Sequence, residues 1–321
     1  MNPQVAQSRA LFGRMLDGEM DSAQIERVLI ELADNGETAA DIAGAAQAMR
    51  ARMTTIKAPD RAIDVCGTGG DGQHSLNIST AVAIVTAACG VPVAKHGNRA
   101  ASSKAGAADT LEALGLDLAN ASERAETTLS EIGIAFLFAQ AHHPAMRYVM
   151  PIRKKIGRRT IFNLIGPLAN PAGVTRQLVG VPHPSMVPLY AEAMKLLETE
   201  AAMIVSGEEG LDEISIDGPT RLASINIPGL AGTVTPQDAG LTCHPLEELR
   251  GGDAQFNAAA LGRLLDGEDG AYRNAVLLNT AAALITAGEV SGWRDGAEEA
   301  AEVIDKGLAK SILDRWLVAC K

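Results

Sequence analysis

Short apolar segments alternate with segments of helical periodicity after residue 61, and this alternation constrains the fold more than any other feature of the sequence. Such an order is typical of a mostly parallel β-sheet that is covered by helices. The predicted strands are 62–66, 91–94, 134–138, 177–181 and 202–205, with a strand-like stretch at 221–227. The predicted helices between them are 78–89, 107–114 and 122–132, and the chain from residue 245 onward is predicted to be largely helical.

The chain before residue 62 predicts helices only. Asp21 and Gln24 form a capping box at the start of one helix, and Gly36 ends that helix. Thr38 starts a second helix that is expected to end near residue 53. The sequence therefore predicts an α/β protein with a small helical domain at 1–61, on which helices near 143–170 pack, and a larger α/β domain at 62–321.

The distribution of charge favours a small anionic ligand. The net charge of −11 argues against generic binding to nucleic acid or to a membrane surface. Nevertheless, no acidic residue occurs in 72–108 or in 132–191, and the second window carries seven arginines and lysines. Two such windows in an acidic protein predict a focused anion site, with a solvated helix face as the alternative for the cluster at 154–159.

The cysteines and the apolar segments favour a cytoplasmic protein. The four cysteines are spaced too widely for a metal knuckle or a CxxC redox pair, and reduced thiols are typical of the cytosol. The N-terminus lacks the apolar core of a signal peptide. The longest apolar stretch, 81–94, is too short to span a membrane.

A glycine-rich loop, GTGGDG at 67–72, follows the first predicted strand and precedes NIST at 77–80. Glycines let a backbone approach a phosphate closely, and the free N–H groups at the start of a helix bind it. The side chains of Asn77, Ser79 and Thr80 add hydrogen-bond donors. The spacing matches neither the Rossmann nor the P-loop pattern, so we expect a phosphate loop of another kind, with a simple tight turn as the alternative.

The segment KHGNRAASSKAG at 95–106 follows the second predicted strand. Open α/β sheets bind ligands at the carboxyl ends of their strands. The segment combines cations, an amide and hydroxyls without apolar periodicity, a mixture that core packing does not require. We therefore expect it to bind an anionic ligand.

An acidic loop at 207–214 follows the strand predicted at 202–205. Carboxylates that are adjacent on a loop can converge on a hard cation such as Mg²⁺. We expect Asp212 and Glu213 to be the ligands, with Glu208 and Glu209 as the alternative pair. A solvated acidic loop without a metal is the structural alternative.

Two further motifs lie in the second acid-free window, HHPAMRYVMPIR at 142–153 and TIFNLIGPLANP at 160–171. Arg153 is predicted to lie on a helix. His142 and His143 could serve as metal ligands or bases, but adjacent histidines without a nearby carboxylate are more often structural.

In this order and at these spacings, the motifs GTGGDG, NIST, KHGNRAASSKAG, HHPAMRYVMPIR, TIFNLIGPLANP and GLDEIS resemble those of the anthranilate phosphoribosyltransferase family of tryptophan biosynthesis. The similarity spans about residues 5–320. It implies the fold of the nucleoside phosphorylases, with the active site in the cleft between a helical and an α/β domain. It also implies a homodimer that meets through the helical domains.

The resemblance further implies the substrates, the cofactor and the residues that bind them. The donor is 5-phosphoribosyl 1-diphosphate, the acceptor is the amine of anthranilate, and Mg²⁺ is the cofactor, with two ions per site. The residues implied for the donor are Gly67, Gly70, Asp71, Ser75, Asn77, Ile78, Ser79, Thr80, Lys95, His96, Gly97, Asn98, Arg99, Ala100, Ala101, Ser102, Ser103 and Ala107. The residues implied for anthranilate are Gly67, Asn98 and Arg153, and those for the metal are Ser79, Asp212 and Glu213. Ala107 stands where relatives often have serine, so a hydroxyl contact there is lost.

The chemistry that these residues suit needs no general base, and none is assigned. Departure of diphosphate builds negative charge that Mg²⁺ and backbone N–H groups stabilise, and an aromatic amine is already neutral at pH 7. A pyrimidine nucleoside phosphorylase of the same fold is the first alternative, although its phosphate loops differ. A non-catalytic nucleic-acid-binding relative is the second, and both the acidic net charge and the presence of Arg153 argue against it.

Overall fold

The computed structural model describes residues 2–100, 104–230 and 232–321, and these form one seven-stranded sheet preceded and flanked by helices. The strands are β1 (Ile63–Gly67), β2 (Val93–Gly97), β3 (Ile134–Phe138), β4 (Arg176–Gly180), β5 (Ala201–Gly207), β6 (Thr220–Ile225) and β7 (Thr233–Val234). Their order in the sheet is β3-β2-β1-β4-β5-β6-β7. The first five strands of the chain, β1 to β5, are parallel to one another, and β6 runs antiparallel to both of its neighbours, β5 and β7. The predicted α/β fold with a mostly parallel sheet is confirmed.

The helices of the described residues fall into an N-terminal group and a group that covers the sheet. Before the sheet lie α1 (Pro3–Leu16), α2 (Ser22–Asn35) and α3 (Ala39–Arg50). Between the strands lie α4 (Ile78–Ala88), α5 (Ala107–Ala113), α6 (Leu118–Glu123), α7 (Ala125–Glu131), α8 (Ala139–His142), α9 (Met150–Ile156) and α10 (Met186–Leu196). After the sheet lie α11 (Ala254–Leu265), α12 (Ala271–Ala287), α13 (Trp293–Asp305) and α14 (Leu308–Ala319). None of these helices has the length and apolar character that crossing a bilayer requires.

The chain changes direction across the sheet at β1. From β1 it continues to β2 and β3 on one side, and it then returns to β4 and β5 on the other side. Ligands of open α/β sheets bind outside the carboxyl ends of the strands at such a reversal. The loops after β1, β2, β4 and β5 therefore meet at the edge where the sequence places its polar motifs.

Several predicted boundaries shift for local physical reasons. The second strand was predicted at 91–94 but runs over Val93–Gly97, because Lys95 and His96 pair with β3 although they are polar. The helix predicted at 122–132 is two helices that meet at Arg124, whose φ of −97° and ψ of 8° interrupt the helical geometry. The helix after Thr38 ends at Arg50, three residues earlier than predicted.

The N-terminal helices bury their apolar faces within the chain. Phe12, Leu29 and Met49 belong to one core cluster that also includes Ile161, Leu168 and further residues of 149–169. Arg50 stabilises the contact between α3 and the segment 149–169, because its Nε donates a hydrogen bond to the carbonyl of Leu168 at 2.6 Å. Residues of 149–169 thus cover much of the apolar surface of the N-terminal helices, while Leu11, Val28 and Leu32 remain only partly buried.

Close packing of α1 on α3 requires glycine at position 44. A Cβ atom added to Gly44 would lie 2.7 Å from the backbone carbonyl oxygen of Val5 and 2.7 Å from the amide nitrogen of Arg9. Gly44→Ala is therefore expected to lower the free energy of unfolding by about 1–3 kcal/mol, the usual cost of overpacking. Urea denaturation of the purified protein measures this change.

Gly262 in α11 is the matched control, because a Cβ atom added there would meet nothing within 4 Å. Gly262→Ala should raise the free energy of unfolding by roughly 0.5–1 kcal/mol through helix propensity alone. Equal stabilisation by both substitutions would contradict the described contact of α1 with α3.

Candidate active site

The acidic loop after β5 folds back onto the carboxyl ends of β1 and β4. Gly67 and Gly180 are the last residues of these strands and are paired in register. A Cβ atom added to either glycine would overlap Asp212. Asp212 also accepts a hydrogen bond from the N–H of Gly69, with 2.8 Å between the nitrogen and Oδ2. The two glycines thus let a carboxylate lie directly on the carboxyl ends of two central strands, beside the glycine-rich loop.

Glu213 faces the start of α4. Its Oε1 accepts a hydrogen bond from the backbone N–H of Ser79 at 3.1 Å. The ammonium of Lys95 donates to the hydroxyl of Ser79 at 3.0 Å and to the carbonyl of Val65 at 2.8 Å. The structure therefore brings Ser79 and Glu213 into contact, with Asp212 adjacent along the chain.

The acidic groups of this site are held in an unfavourable electrostatic environment. Burial, followed by the charge of Asp71, raises the pKa of Asp212 to about 7. Burial, followed by the charge of Asp212, raises the pKa of Glu213 to about 8, although Lys95 opposes the shift. Buried carboxylates of this kind are stabilised by a cation. The chemistry of the donor set fits Mg²⁺, which prefers oxygen ligands.

The protein oxygens alone do not form a complete coordination shell. No group of three or more His, Cys, Asp or Glu side chains in the described part of the chain is arranged to hold a metal ion. Mg²⁺ usually keeps several waters and binds through one or two carboxylates together with substrate phosphates. The alternative pair is placed differently, since Glu208 is exposed and the carboxylate of Glu209 lies back against Gly207.

The structure places the described residues implied for the donor on the segments that follow β1 and β2, up to the start of α5. Gly67, Gly70, Asp71 and Ser75 lie at the end of β1 and on the loop after it, and Asn77, Ile78, Ser79 and Thr80 lie at the start of α4. Lys95, His96, Gly97, Asn98, Arg99 and Ala100 end β2 and follow it, and Ala107 begins α5. Ala101, Ser102 and Ser103 lie outside the described residues.

The glycine-rich loop has a backbone that only glycine adopts readily. Gly69, Gly70 and Gly72 have φ values of 70°, 81° and 74°, which belong to the left-handed region. The loop continues to Asn77, whose Oδ1 accepts from the hydroxyl of Thr110 at 2.5 Å and from Nδ2 of Asn257 at 2.9 Å. The hydroxyl of Thr80 is buried and has no hydrogen-bond partner among the described groups.

Asp109 holds the segment that follows β2 in place, and the sequence alone did not predict this role. Its Oδ2 accepts from the N–H of Ala100 at 3.0 Å and from the N–H of Gly106 at 2.8 Å. Its Oδ1 accepts from Arg99 at 2.9 Å, and Arg99 also pairs with Glu112. The available signal was the position of Asp109, which follows Gly106 at capping-box spacing directly after the acid-free window.

The residues implied for anthranilate lie on separate elements. Gly67 ends β1, Asn98 follows β2, and Arg153 lies in α9. One guanidinium nitrogen of Arg153 donates to Oδ1 of Asn163 at 3.2 Å, and the group lies 5.7 Å from the centroid of the Phe162 ring. Burial lowers the pKa of Arg153 without changing its charge at neutral pH.

Most of the basic cluster at 154–159 is paired with the N-terminal helices. Lys155 contacts Glu26 at 2.7 Å, and Arg158 contacts Asp34 at 2.7 Å. The guanidinium of Arg159 is 3.6 Å from Glu37. The cluster therefore contributes to the contact between α9 and the N-terminal helices, whereas Arg153 on the same helix points to Asn163.

The three histidines near the site are held by protein groups. His142 Nδ1 is 2.9 Å from the carbonyl of Thr54, and His143 Nε2 is 3.1 Å from Nε2 of His96. His96 Nδ1 is in turn 3.1 Å from the carbonyl of Gly166. Burial lowers the pKa of His96 to about 3 and that of His143 to about 4, so both rings are neutral at pH 7.

Comparison with known families covers both parts of the chain. The glycosyl transferase family helical bundle domain matches residues 3–53, and the glycosyl transferase family a/b domain matches residues 59–310. A curated relative from Novosphingobium aromaticivorans, named anthranilate phosphoribosyltransferase, is 61% identical over 98% of this chain and 96% of its own length. A relative of the same name from Sphingopyxis alaskensis is 61% identical over 95% of this chain and 92% of its own length.

Solved structures of the same name are also similar to this chain over nearly its whole length. The crystal structure of anthranilate phosphoribosyltransferase from Thermus thermophilus is 40% identical and superposes with a TM-score of 0.93, over 98% of this chain and 95% of that one. The enzyme of the same name from Saccharomyces cerevisiae, in complex with PRPP and Mg, is 28% identical with a TM-score of 0.88. That comparison covers 98% of this chain and 93% of the yeast chain.

The raised pKa of Glu213 predicts a pH-dependent stability of the metal-free protein. The cost of ionising Glu213 in the fold is absent below its ordinary pKa of 4.5 and grows as the pH rises towards about 8. Glu213→Gln removes this cost and keeps an oxygen that can accept from Ser79. Between about pH 5 and pH 9, the variant should therefore gain roughly 1–3 kcal/mol in unfolding free energy relative to the wild type.

Urea denaturation in the presence of a chelator measures this difference. Glu208→Gln on the same loop is the control, because Glu208 is exposed and substitutions of exposed residues usually change the unfolding free energy by less than about 0.5 kcal/mol. A constant difference between the wild type and Glu213→Gln would show that Glu213 is not destabilised by burial.

Proposed function

The chain belongs to the anthranilate phosphoribosyltransferase family, and on this basis we propose that it transfers the 5-phosphoribosyl group from 5-phosphoribosyl 1-diphosphate to the amine of anthranilate. The products are N-(5-phosphoribosyl)anthranilate and diphosphate. The observation that carries the proposal is the position of Asp212 and Glu213, which lie on the sheet edge between the phosphate loop and the start of α4. The relatives give no support to the nucleoside phosphorylase or to the nucleic-acid-binding alternative.

The protein groups suit stabilisation of a departing diphosphate. The loop after β1 leads into the N-terminus of α4, where a helix favours negative charge. We propose that Asp212, Glu213 and Ser79 hold Mg²⁺, which when bound supplies positive charge for the diphosphate oxygens. Asp71, whose charge acts on Asp212, adds oxygens for a second ion. These groups are fixed before the reaction, so catalysis rests on positioning and charge stabilisation.

The acceptor requires no proton removal before attack. The amine of anthranilate is neutral at pH 7, and the two buried histidines His96 and His143 have lowered pKa values and are engaged with each other. We assign no general base. We propose that Asn98 and Arg153 orient the acceptor, with the guanidinium of Arg153 bound to its carboxylate.

The function is tested by mixing the purified protein with both substrates and Mg²⁺. The fluorescence of anthranilate should fall as diphosphate appears, and omission of the donor or addition of a chelator should stop both changes. Release of a base from a pyrimidine nucleoside by inorganic phosphate, without diphosphate formation from the donor, would support the phosphorylase alternative instead.

Arg153→Ala should weaken anthranilate binding and leave donor binding nearly unchanged, because Arg153 lies on α9 and the phosphate loops follow β1 and β2. A hydrogen bond to a charged group contributes about 1.5–3 kcal/mol, so the KM for anthranilate should rise roughly ten- to hundred-fold. Arg153→Lys should recover only part of this loss, because an ammonium cannot form the two parallel bonds of a guanidinium.

Steady-state kinetics with each substrate varied in turn measure these constants. Arg158→Ala is the matched control, because it removes the same charge from the same basic segment but affects an exposed pair with Asp34. A selective rise in the KM for the donor in Arg153→Ala would place Arg153 in the phosphate site.

We propose further that the protein is a cytoplasmic homodimer that associates through its N-terminal helices. All four cysteines are unpaired thiols, as the cytosol favours. Near the N-terminal helices, Tyr148 and Met150 remain 38% and 49% exposed, which leaves apolar surface for a second copy. Sedimentation equilibrium at micromolar concentration should give twice the chain mass of 33.4 kDa, and a monomer would refute the dimer.

A further inference from the structure

The helix α12 carries one fully buried polar side chain that is directed at the acidic loop. Asn279 has no exposed surface and lies among apolar residues of the helix. Its Oδ1 accepts from the backbone N–H of Ile214 at 2.9 Å, and its Nδ2 donates to the carbonyl of Ile214 at 2.9 Å. Nδ2 also donates to the carbonyl of Ala275 at 2.9 Å. Because Ile214 offers one donor and one acceptor, the orientation of the amide follows from its partners.

This pair of hydrogen bonds replaces the contact that a neighbouring strand would make. Ile214 directly follows Glu213 and lies between β5 and β6, where the described chain forms no strand. Both polar groups of its backbone are nevertheless satisfied by a single side chain. Buried backbone groups need such partners, and the loss of one is destabilising. Asn279 therefore fixes the backbone one residue away from a carboxylate of the site.

The acidic loop brings like charges together. Asp212 is half-buried and Glu213 beside it is buried, with Asp71 near Asp212, so these carboxylates repel one another when ionised. The N–H of Gly69 holds Asp212 from one side. On the other side, Asn279 binds the backbone of Ile214, the residue that follows Glu213, from within the core.

The same helix also supports the facing wall of the site. The hydroxyl of Tyr272 donates to the carbonyl of Asn77 at 3.1 Å, at the start of α4. One rigid element thus sets the distance between the acidic loop and the helix that carries Ser79. Mg²⁺ requires near-ideal octahedral geometry, so small displacements of its ligands weaken binding strongly.

We propose that Asn279 is a positioning residue for metal binding, which holds Ile214 so that Asp212 and Glu213 are presented together at the carboxyl ends of β1 and β4. This inference rests on the proposed function, because it takes the acidic loop to be the Mg²⁺ site. Asn279 touches neither substrate nor metal, and it acts through the backbone of the loop.

The test compares Asn279→Ala with Thr280→Val. Thr280 is the next residue of α12, is equally buried, and has a hydroxyl without a hydrogen-bond partner among the described groups, so its substitution perturbs the same helix without releasing the loop. Mn²⁺ binding in the presence of diphosphate is followed by electron paramagnetic resonance of the free ion. The KM for anthranilate and the Mg²⁺ concentration at half-maximal velocity are measured in parallel.

Asn279→Ala should bind Mn²⁺ at least about tenfold more weakly, should need correspondingly more Mg²⁺, and should keep the KM for anthranilate. Thr280→Val should match the wild type in all three. Mn²⁺ affinity of Asn279→Ala within twofold of the wild type, or an equal loss in Thr280→Val, would overturn the inference. If Asn279→Ala does not fold, Asn279→Ser is judged by the same criteria. Absence of Mg²⁺-dependent transfer in the wild type would refute the proposed function instead.

Discussion

Two glycines in register at the ends of neighbouring strands determine how this site is built. Gly67 and Gly180 have no side chain, and only for that reason can Asp212 lie on the ends of β1 and β4. This position brings the acidic loop beside the loop after β1 and the start of α4. A carboxylate at the reversal point of a parallel sheet then faces the place where helix N-termini attract phosphate.

The acidic loop places carboxylates close together in a partly buried position, where their ionisation is unfavourable. The buried carboxylate of Glu213 lies beside the half-buried Asp212, whose pKa the charge of Asp71 raises further, and Lys95 opposes only part of the shift at Glu213. Functional sites commonly hold groups in states that lower stability, and the surrounding structure stabilises them. Here the support comes from Gly69 on one side of the acidic loop and from Asn279 on the other. A bound divalent cation would remove the repulsion and so couple metal binding to the stability of the loop.

Local patterns in the sequence predicted most of the fold. The third strand was predicted at its exact bounds, and the capping box of Asp21 with Gln24 is present. The second strand was displaced because its polar residues are satisfied by distant groups, as with Lys95 and the carbonyl of Val65. The periodicity of a sequence shows which side chains are polar, but it does not show the distant hydrogen-bond partner that allows a polar side chain to be buried in a strand.

The supporting residues could not be predicted for the same reason. Asn279 is 65 positions from Ile214 along the chain, and nothing in a helical stretch of apolar residues indicates which loop it meets. The contact of Asp109 with the segment after β2 was not predicted, because Asp109 lies just outside the acid-free window 72–108 that contains this segment. The motifs predict which groups would contact the ligands, whereas the groups that hold those motifs follow only from the tertiary structure.

The central claim is that the acidic loop on the sheet edge is the metal site. Anomalous diffraction from crystals grown with Mn²⁺ and 5-phosphoribosyl 1-diphosphate tests it most directly, because Mn²⁺ prefers the same oxygen ligands as Mg²⁺. The account predicts an anomalous peak within coordination distance of the Asp212 and Glu213 carboxylates and beside the hydroxyl of Ser79. A peak confined to Glu208 and Glu209, or none at the carboxyl ends of β1 and β4, would contradict it.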